Sequence, residues 1–333
     1  MNSSASAPHP HSGSPCPAGD GAPSADGLLT ALAPPPLLPS PLQEIRDERF
    51  TGRGVRLLLK RDDLIHPRLP GNKWRKLVPN LRAAAEGGHT ALLTFGGAYS
   101  NHLRATAAAG RMLELATIGV VRGDELARRP LNASLAQCAA DGMTLHFVSR
   151  SDYRRRHEPD FADRLLGGTD GTDGMQMARE AFRIPEGGSN SLAVHGCTAL
   201  GEELRDRTDV AAVACGTGGT LAGLAAGLGA GRSALGIPVL RGGFLAGDVG
   251  ELQRSAFGGP RGTWRLDERF HFGGYARVDR ELDEFADDFA ARHALPPLER
   301  VYVAKLLFAL TALVEEGAFA PGSTVTAVVT GRR

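Results

Sequence analysis

The segment from Val210 to Leu228 constrains the fold more than any other stretch of this 333-residue chain. Val210-Ala211-Ala212-Val213-Ala214-Cys215 is an apolar run of strand length, Gly216-Thr217-Gly218-Gly219-Thr220 is a turn, and Leu221 to Leu228 is an apolar helix. A strand with no polar face has to be covered on both sides, which is the pattern of a parallel sheet between helix layers. The turn also aims backbone N–H groups and the positive end of a helix dipole at one point, where a phosphate-sized anion fits. Two commoner glycine loops are excluded. The dinucleotide fingerprint needs a third glycine where Leu221 stands, and the nucleoside-triphosphate loop ends in Gly-Lys-Ser/Thr, whereas no lysine is present here. On this segment alone, a tight turn without a ligand stays open.

The rest of the chain repeats the alternation. Strand candidates are Val55–Lys60, Ala91–Phe95, Ala116–Val121, Thr144–Val148, Pro238–Arg241 and Thr324–Val329, with helical patterns between them. This makes the fold α/β, with parallel sheets built from strand–helix–strand units and ligands at the strand carboxyl ends. Ten of the 21 prolines fall in the first 41 residues, among Ser, Gly and Ala, so residues 1–40 are expected to be a disordered tail. That tail lacks the charged start and apolar core of a secretory signal. The segment from Ser149 to Glu180, rich in Arg, Asp and Gly, reads as a surface excursion.

Thirty-eight basic against 37 acidic residues leave a net charge of +1, which argues against nucleic acid and membrane-surface partners. No apolar run is long enough to span a bilayer. Cys16, Cys138, Cys197 and Cys215 are too scattered for a zinc site or a disulfide framework, so no metal is expected and the cytoplasm is the default compartment.

Two further segments carry chemistry. Gly71-Asn72 opens a helix whose first turn carries Lys73, with Trp74, Leu77, Leu81 and Ala84 forming its buried face. Pro79 is expected to kink or restart that helix. The helix dipole, with Arg75 and Lys76 nearby, disfavours the ammonium form of Lys73, and a lysine biased toward free amine suits Schiff-base chemistry. A basic, solvated first turn is the plainer alternative. The second segment, Gly96-Gly97-Ala98-Tyr99-Ser100-Asn101-His102, joins a strand end to an alanine-rich helix. Ser100 and Asn101 stand as helix caps or as donors to a ligand at that N-terminus.

In this order and spacing, the three segments resemble the pyridoxal-phosphate enzymes of the tryptophan-synthase-β fold type, in the branch holding D-cysteine desulfhydrase and 1-aminocyclopropane-1-carboxylate deaminase. Pro185-Glu186-Gly187-Gly188-Ser189-Asn190, Tyr275, Val301-Tyr302 with Lys305, and a last strand ending in Thr330-Gly331 extend the likeness over residues 46 to 331. The resemblance implies two parallel-sheet three-layer domains with pyridoxal 5'-phosphate in the cleft between them. A large cofactor-binding domain would span 41–80 and 186–333, with a small domain, 81–185, inserted. It implies a homodimer acting on a small amino acid. Lys73 would be the Schiff-base lysine and proton-transfer base, and Asn101 would bond the cofactor ring oxygen. Ser100 would engage the substrate, Tyr275 and Tyr302 would be active-site phenols, and Gly216, Thr217, Gly218, Gly219 and Thr220 would hold the phosphate.

One departure bears on the reaction. The deaminase pattern places an acid directly after the second tyrosine, to pair with the pyridine nitrogen, whereas this chain has Val303. Thr330 is the remaining polar candidate, as in the desulfhydrase-like pattern. A neutral partner leaves a weaker electron sink, which favours α,β-elimination of a thiol-type leaving group, giving a 2-oxo acid and ammonia, over opening of a cyclopropane. Ring opening and a non-catalytic cofactor-binding protein are the alternatives. The two tyrosines count against the second.

Overall fold

The computed structural model describes residues 27, 30–69, 71–158, 160–166 and 180–331. The strands form two sheets. The first has six strands, in the order β1 (Leu42–Ile45), β2 (Arg56–Lys60), β10 (Thr324–Val328), β7 (Val210–Cys215), β8 (Ser233–Pro238) and β9 (Thr263–Leu266). All neighbours are parallel except β1, which runs antiparallel to β2. The second sheet is fully parallel, in the order β5 (Met143–Val148), β4 (Ala116–Arg122), β3 (Ala91–Gly96) and β6 (Phe182–Ile184).

Period-two alternation along the central strands sorts the six-stranded sheet's residues into two cores. Ala212, Ala214, Leu235, Ile237, Val325 and Ala327 face one side, under helices α7 (Arg280–Arg292) and α8 (Val303–Glu315). Ala211, Val213, Cys215, Ala234 and Val328 face the other, under α4 (Ser191–Leu204), α5 (Gly219–Leu228) and α6 (Leu245–Phe257). The second sheet is covered in the same way. Helices α1 (Asn72–Glu86) and α2 (Asn101–Leu113) pack on Leu92 and Ile184, α3 (Ala133–Ala140) packs against α2 through Leu135 and Cys138, and the opposite face of β3 and β4 buries Leu93, Phe95, Ile118 and Val120. Two three-layer α/β units result.

Several expectations change. The strand foreseen at Pro238–Arg241 lies earlier, at Ser233–Pro238, because its pattern is masked by Gly236. A Cβ there would come within 2.6 Å of Leu221 and Leu266, so α5 and β9 require the small residue. The short edge strands β1, β6 and β9 were not foreseen. Each mixes polar and apolar residues over three or four positions. Pro79 does not break α1, which runs through it. The carbonyl of Arg75, left without its helical partner by the proline, is met instead by Gly196 of α4, where a Cβ would sit 2.0 Å from that oxygen.

The tail expected over residues 1–40 does not take in residues 32 to 40. Leu32 is fully buried beside Trp74 and Leu77, the Leu37 N–H donates to Ile65 O at 2.8 Å, and Ser40 is buried. Residues 1–26 and Cys16 lie outside the described residues. Part of the 149–180 excursion also packs inward, with Tyr153 and Phe161 buried. Among the described residues, no helix is long and apolar enough to cross a membrane.

Candidate active site

The cavity lies where the strand carboxyl ends of both sheets meet, and its volume is about 650 Å³. Every site residue named from the sequence lines it. Lys73, Ser100, Asn101, Gly216, Thr217, Gly218, Gly219, Thr220, Tyr275, Tyr302 and Thr330 come together from six separate segments.

Lys73 sits in the first turn of α1, which starts abruptly because Gly71 takes φ +67 and packs on the carbonyl of Thr330. A Cβ on Gly71 would lie 1.6 Å from that oxygen, so glycine sets how close α1 comes to the end of β10. Burial in the cleft lowers the Lys73 pKa to about 7, with Lys76 adding to the shift. Arg75, expected to push the same way, does not. Its guanidinium turns away into a buried network, donating to Asp62 at 2.8 and 2.9 Å and to Glu203 at 2.9 Å. Lys60 completes the network on Glu203, and Ser40 donates to Asp62 at 2.6 Å. Two cations against two carboxylates leave it neutral, and it fixes the helix that carries Lys73.

Lys76, one turn along the same face, was seen in the sequence only as a neighbouring charge. Its Nζ donates to Gly187 O at 2.7 Å and to Ser189 Oγ at 2.6 Å, whereas Lys73 Nζ has one weak contact, to Gly187 O at 3.5 Å. The ammonium of Lys76 lies against the glycine loop, since a Cβ on Gly219 would be 3.2 Å from Nζ and 2.8 Å from Ser189 Oγ. Burial lowers its pKa to about 8. Spacing of three residues from Lys73 was the sign available in the sequence.

The loop between β7 and α5 fits a phosphate group. Gly218 takes φ +77, Ser189 and Thr217 share a hydrogen bond of 2.5 Å, and Asn72 Nδ2 donates to Thr220 Oγ1 at 2.9 Å. The N-termini of α1 and α5 are thereby tied together, with Lys76 against the loop. The N-terminus of α2 also reaches the cavity. Ser100 caps it by accepting from the Leu103 N–H at 3.2 Å, and Asn101 is its first residue. Behind it, buried His102 bonds Thr94 through Nε2 at 2.7 Å, and burial lowers its pKa.

The two tyrosines meet edge to face, with centroids 6.2 Å apart, and the phenols influence one another electrostatically. Burial raises both phenol pKa values, so each stays a proton donor near neutral pH. A Cβ on Gly216 would lie 3.2 Å from the Tyr302 hydroxyl, placing that group at the start of the glycine loop. Lys305 is buried and donates to the carbonyls of His271 and Gly274 at 2.8 and 2.9 Å, which anchors the loop that presents Tyr275.

Val303 points into the core under the six-stranded sheet. Glu299, absent from the sequence reading, is an acidic group that lines the cavity at the start of the same helix. Its carboxylate accepts from the N–H groups of Val301 and Tyr302, each at 2.8 Å, and of Val303 at 3.3 Å, so it caps α8. Burial raises its pKa. Arg122, Arg156 and Glu186 were also unforeseen as lining residues. Among the described residues, no three His, Cys, Asp or Glu side chains gather as a metal site, and Cys138, Cys197 and Cys215 are free and buried.

The family model described as "Pyridoxal-phosphate dependent enzyme" matches residues 33–331. A Thermotoga maritima protein, provisionally named a 1-aminocyclopropane-1-carboxylate deaminase, is 34% identical over 199 residues, covering 58% of this chain and 60% of that protein. The bifunctional D-cysteine desulfhydrase/1-aminocyclopropane-1-carboxylate deaminase of Arabidopsis thaliana mitochondria is 31% identical over 186 residues, covering 52% of this chain and 45% of the relative. The chain thus spans about half the length of these curated relatives. A crystal structure titled as an ACC deaminase homologue superposes with a TM-score of 0.73 at 26% identity, covering 91% of this chain and 94% of that one.

Proposed function

The chain belongs to the family of pyridoxal-phosphate-dependent enzymes, and from that premise we propose that it catalyses α,β-elimination on a small, D-cysteine-like amino acid, releasing a 2-oxo acid and ammonia. Pyridoxal phosphate, when bound, supplies the electron sink for the pair left as a bond to the substrate α-carbon breaks. Lys73 is the amine that bears the cofactor and then takes the α-proton, because its ammonium form is disfavoured near neutral pH. Lys76, Thr217 and the loop amides hold the phosphate, and Asn101 holds the ring oxygen. Ser100 and the α2 N-terminus receive the substrate carboxylate. Tyr302 and Tyr275, both kept protonated, supply a proton to the departing group.

The observation that carries the choice of elimination is the surroundings of the second tyrosine. Val303 is turned into the core, and the carboxylate of Glu299, which caps the same helix, is occupied by three backbone N–H groups. Thr330 is then the polar side chain available to the ring nitrogen, and a neutral partner gives a weaker sink. The names of the relatives favour 1-aminocyclopropane-1-carboxylate as the competing substrate. Steady-state kinetics on D-cysteine, β-chloro-D-alanine and 1-aminocyclopropane-1-carboxylate decide between them. Elimination is expected to be faster on both β-substituted substrates, and faster turnover of the cyclopropane would reverse the assignment.

The same reading takes the enzyme as a cytoplasmic homodimer, with 41–80 and 186–333 as the cofactor-binding domain and 81–185 as the inserted one. The free thiols fit that compartment, and the separation of the two sheets fits the division into domains.

A further inference from the structure

Arg122 ends β4 at the cavity wall, and among the described residues no hydrogen-bonding or ion-pair partner engages its guanidinium. Its position is fixed by two neighbours. A Cβ built on Gly97 would meet Arg122 Nη2 at 3.6 Å and nothing else within 4 Å, so the guanidinium lies over the loop that Ser100 closes. The buried ring of Tyr153 lies 5.7 Å from the guanidinium carbon of Arg122 and 4.8 Å from that of Arg156. Arg156 has a counter-charge, since its Nη2 is 2.9 Å from Glu186 Oε2. Two guanidinium groups therefore share one ring, and only one of them is neutralised. An anion beside Arg122 would remove the repulsion between them and gain charge-assisted hydrogen bonds. The group is exposed, at the wall rather than the floor of the cavity, whereas the α2 N-terminus offers the substrate carboxylate a separate set of donors.

Resting on the elimination reading above, we propose that Arg122 selects substrates whose β-substituent carries a second negative charge, which it holds as the bond to the β-carbon breaks. For S-carboxymethylcysteine the α-proton is removed, the Cβ–S bond breaks and the sulfur leaves with its electron pair, taking a proton as thioglycolate. Water then converts the released enamine to pyruvate and ammonia, so one water is consumed and no oxidant is needed.

The test uses the cofactor-loaded full chain and two isosteres, S-carboxymethylcysteine and S-carbamoylmethylcysteine, each as both enantiomers, with thiol release as the activity readout. The wild type should prefer the acid by about tenfold in kcat/KM. Arg122→Gln should abolish that preference by slowing the acid alone, and Arg122→Lys should restore part of it. Equal loss on both isosteres would place Arg122 on the shared α-carboxylate, and a wild type indifferent to the charge would also overturn the proposal. Titration calorimetry of the same pair with the Lys73→Gln protein, which lacks the base for the α-proton, and with its Arg122→Gln double variant reads the charge preference in binding without turnover. If no β-substituted substrate is eliminated while calorimetry still shows an Arg122-dependent preference for the acid, the elimination reading fails and the anion site stands. An absent preference in binding removes the site whatever the reaction.

Discussion

The two walls of the cavity are built on different principles. On the side of the six-stranded sheet, Lys73, Lys76 and the glycine loop are set by backbone contacts without room for a Cβ and by a buried network of Lys60, Asp62, Arg75 and Glu203. On the side of the four-stranded sheet, the lining groups include long arginines at an open edge, with Arg68 paired to Asp141 but 42% exposed and Arg122 exposed as well. A cofactor stays in place through the catalytic cycle and rewards a rigid, over-determined wall. A substrate must enter and leave, and its wall can be made of side chains that are cheap to move. Within one fold, then, the first wall should be intolerant of change and the second should tune specificity.

Disrupting the buried network should have the largest effect on stability. Asp62→Ala leaves the guanidinium of Arg75 with a partner missing in a dry site, and chemical denaturation should show a loss of about 3–5 kcal/mol. Arg68→Ala, on the other wall, should cost under about 1 kcal/mol. Comparable losses would erase the contrast. Deleting residues 1–40 should cost about 2–4 kcal/mol, because Leu32 and Ser40 leave their buried positions. Deleting residues 1–26 should leave stability within about 0.5 kcal/mol of the full chain.

Gly219→Val should weaken cofactor retention by about tenfold to a hundredfold, since the new side chain meets Ser189 and Lys76 where the phosphate would be held. Gly218 is a poorer probe. Its φ of +77 and the nearby Val249 would turn a substitution there into a folding defect. The smallest expected effect is on pH dependence. With the Lys73 pKa at about 7, its free-amine fraction rises through neutrality, and cofactor capture by the cofactor-free protein should speed up about tenfold between pH 6 and pH 8 and then level off. An ordinary exposed lysine would instead keep accelerating toward pH 10. The sign follows from burial, which disfavours the protonated form in the folded state, so capture improves as protons leave.

The difference between the walls also explains what the sequence disclosed. Glycine turns, strand runs and the lysine at a helix start are local patterns that picked out Lys73, Ser100, Asn101 and the loop from Gly216 to Thr220, the family resemblance added Tyr275, Tyr302 and Thr330, and all eleven residues line the cavity. Arg122, Arg156 and Glu299 belong to no such pattern. Each reaches the site through packing between segments far apart in sequence, as when Tyr153 of the supposed surface excursion gathers two arginines. Lys76 was visible but misjudged. Its spacing put it on the face of Lys73, while its contacts to Gly187 and Ser189 depend on a loop 111 and 113 residues away. The length of the tail failed for the same reason. Composition spoke against a core, and Leu32 joins one supplied by α1.

The most direct test concerns the division of labour between the two lysines on one face of α1. Lys73 is weakly held and is the more readily deprotonated, whereas Lys76 is pinned by two short hydrogen bonds beside the phosphate loop. Borohydride reduction of the cofactor-loaded protein, followed by peptide mapping, should find the reduced cofactor on Lys73 alone. A reduced adduct on Lys76 would contradict that assignment and exchange the roles of the two residues.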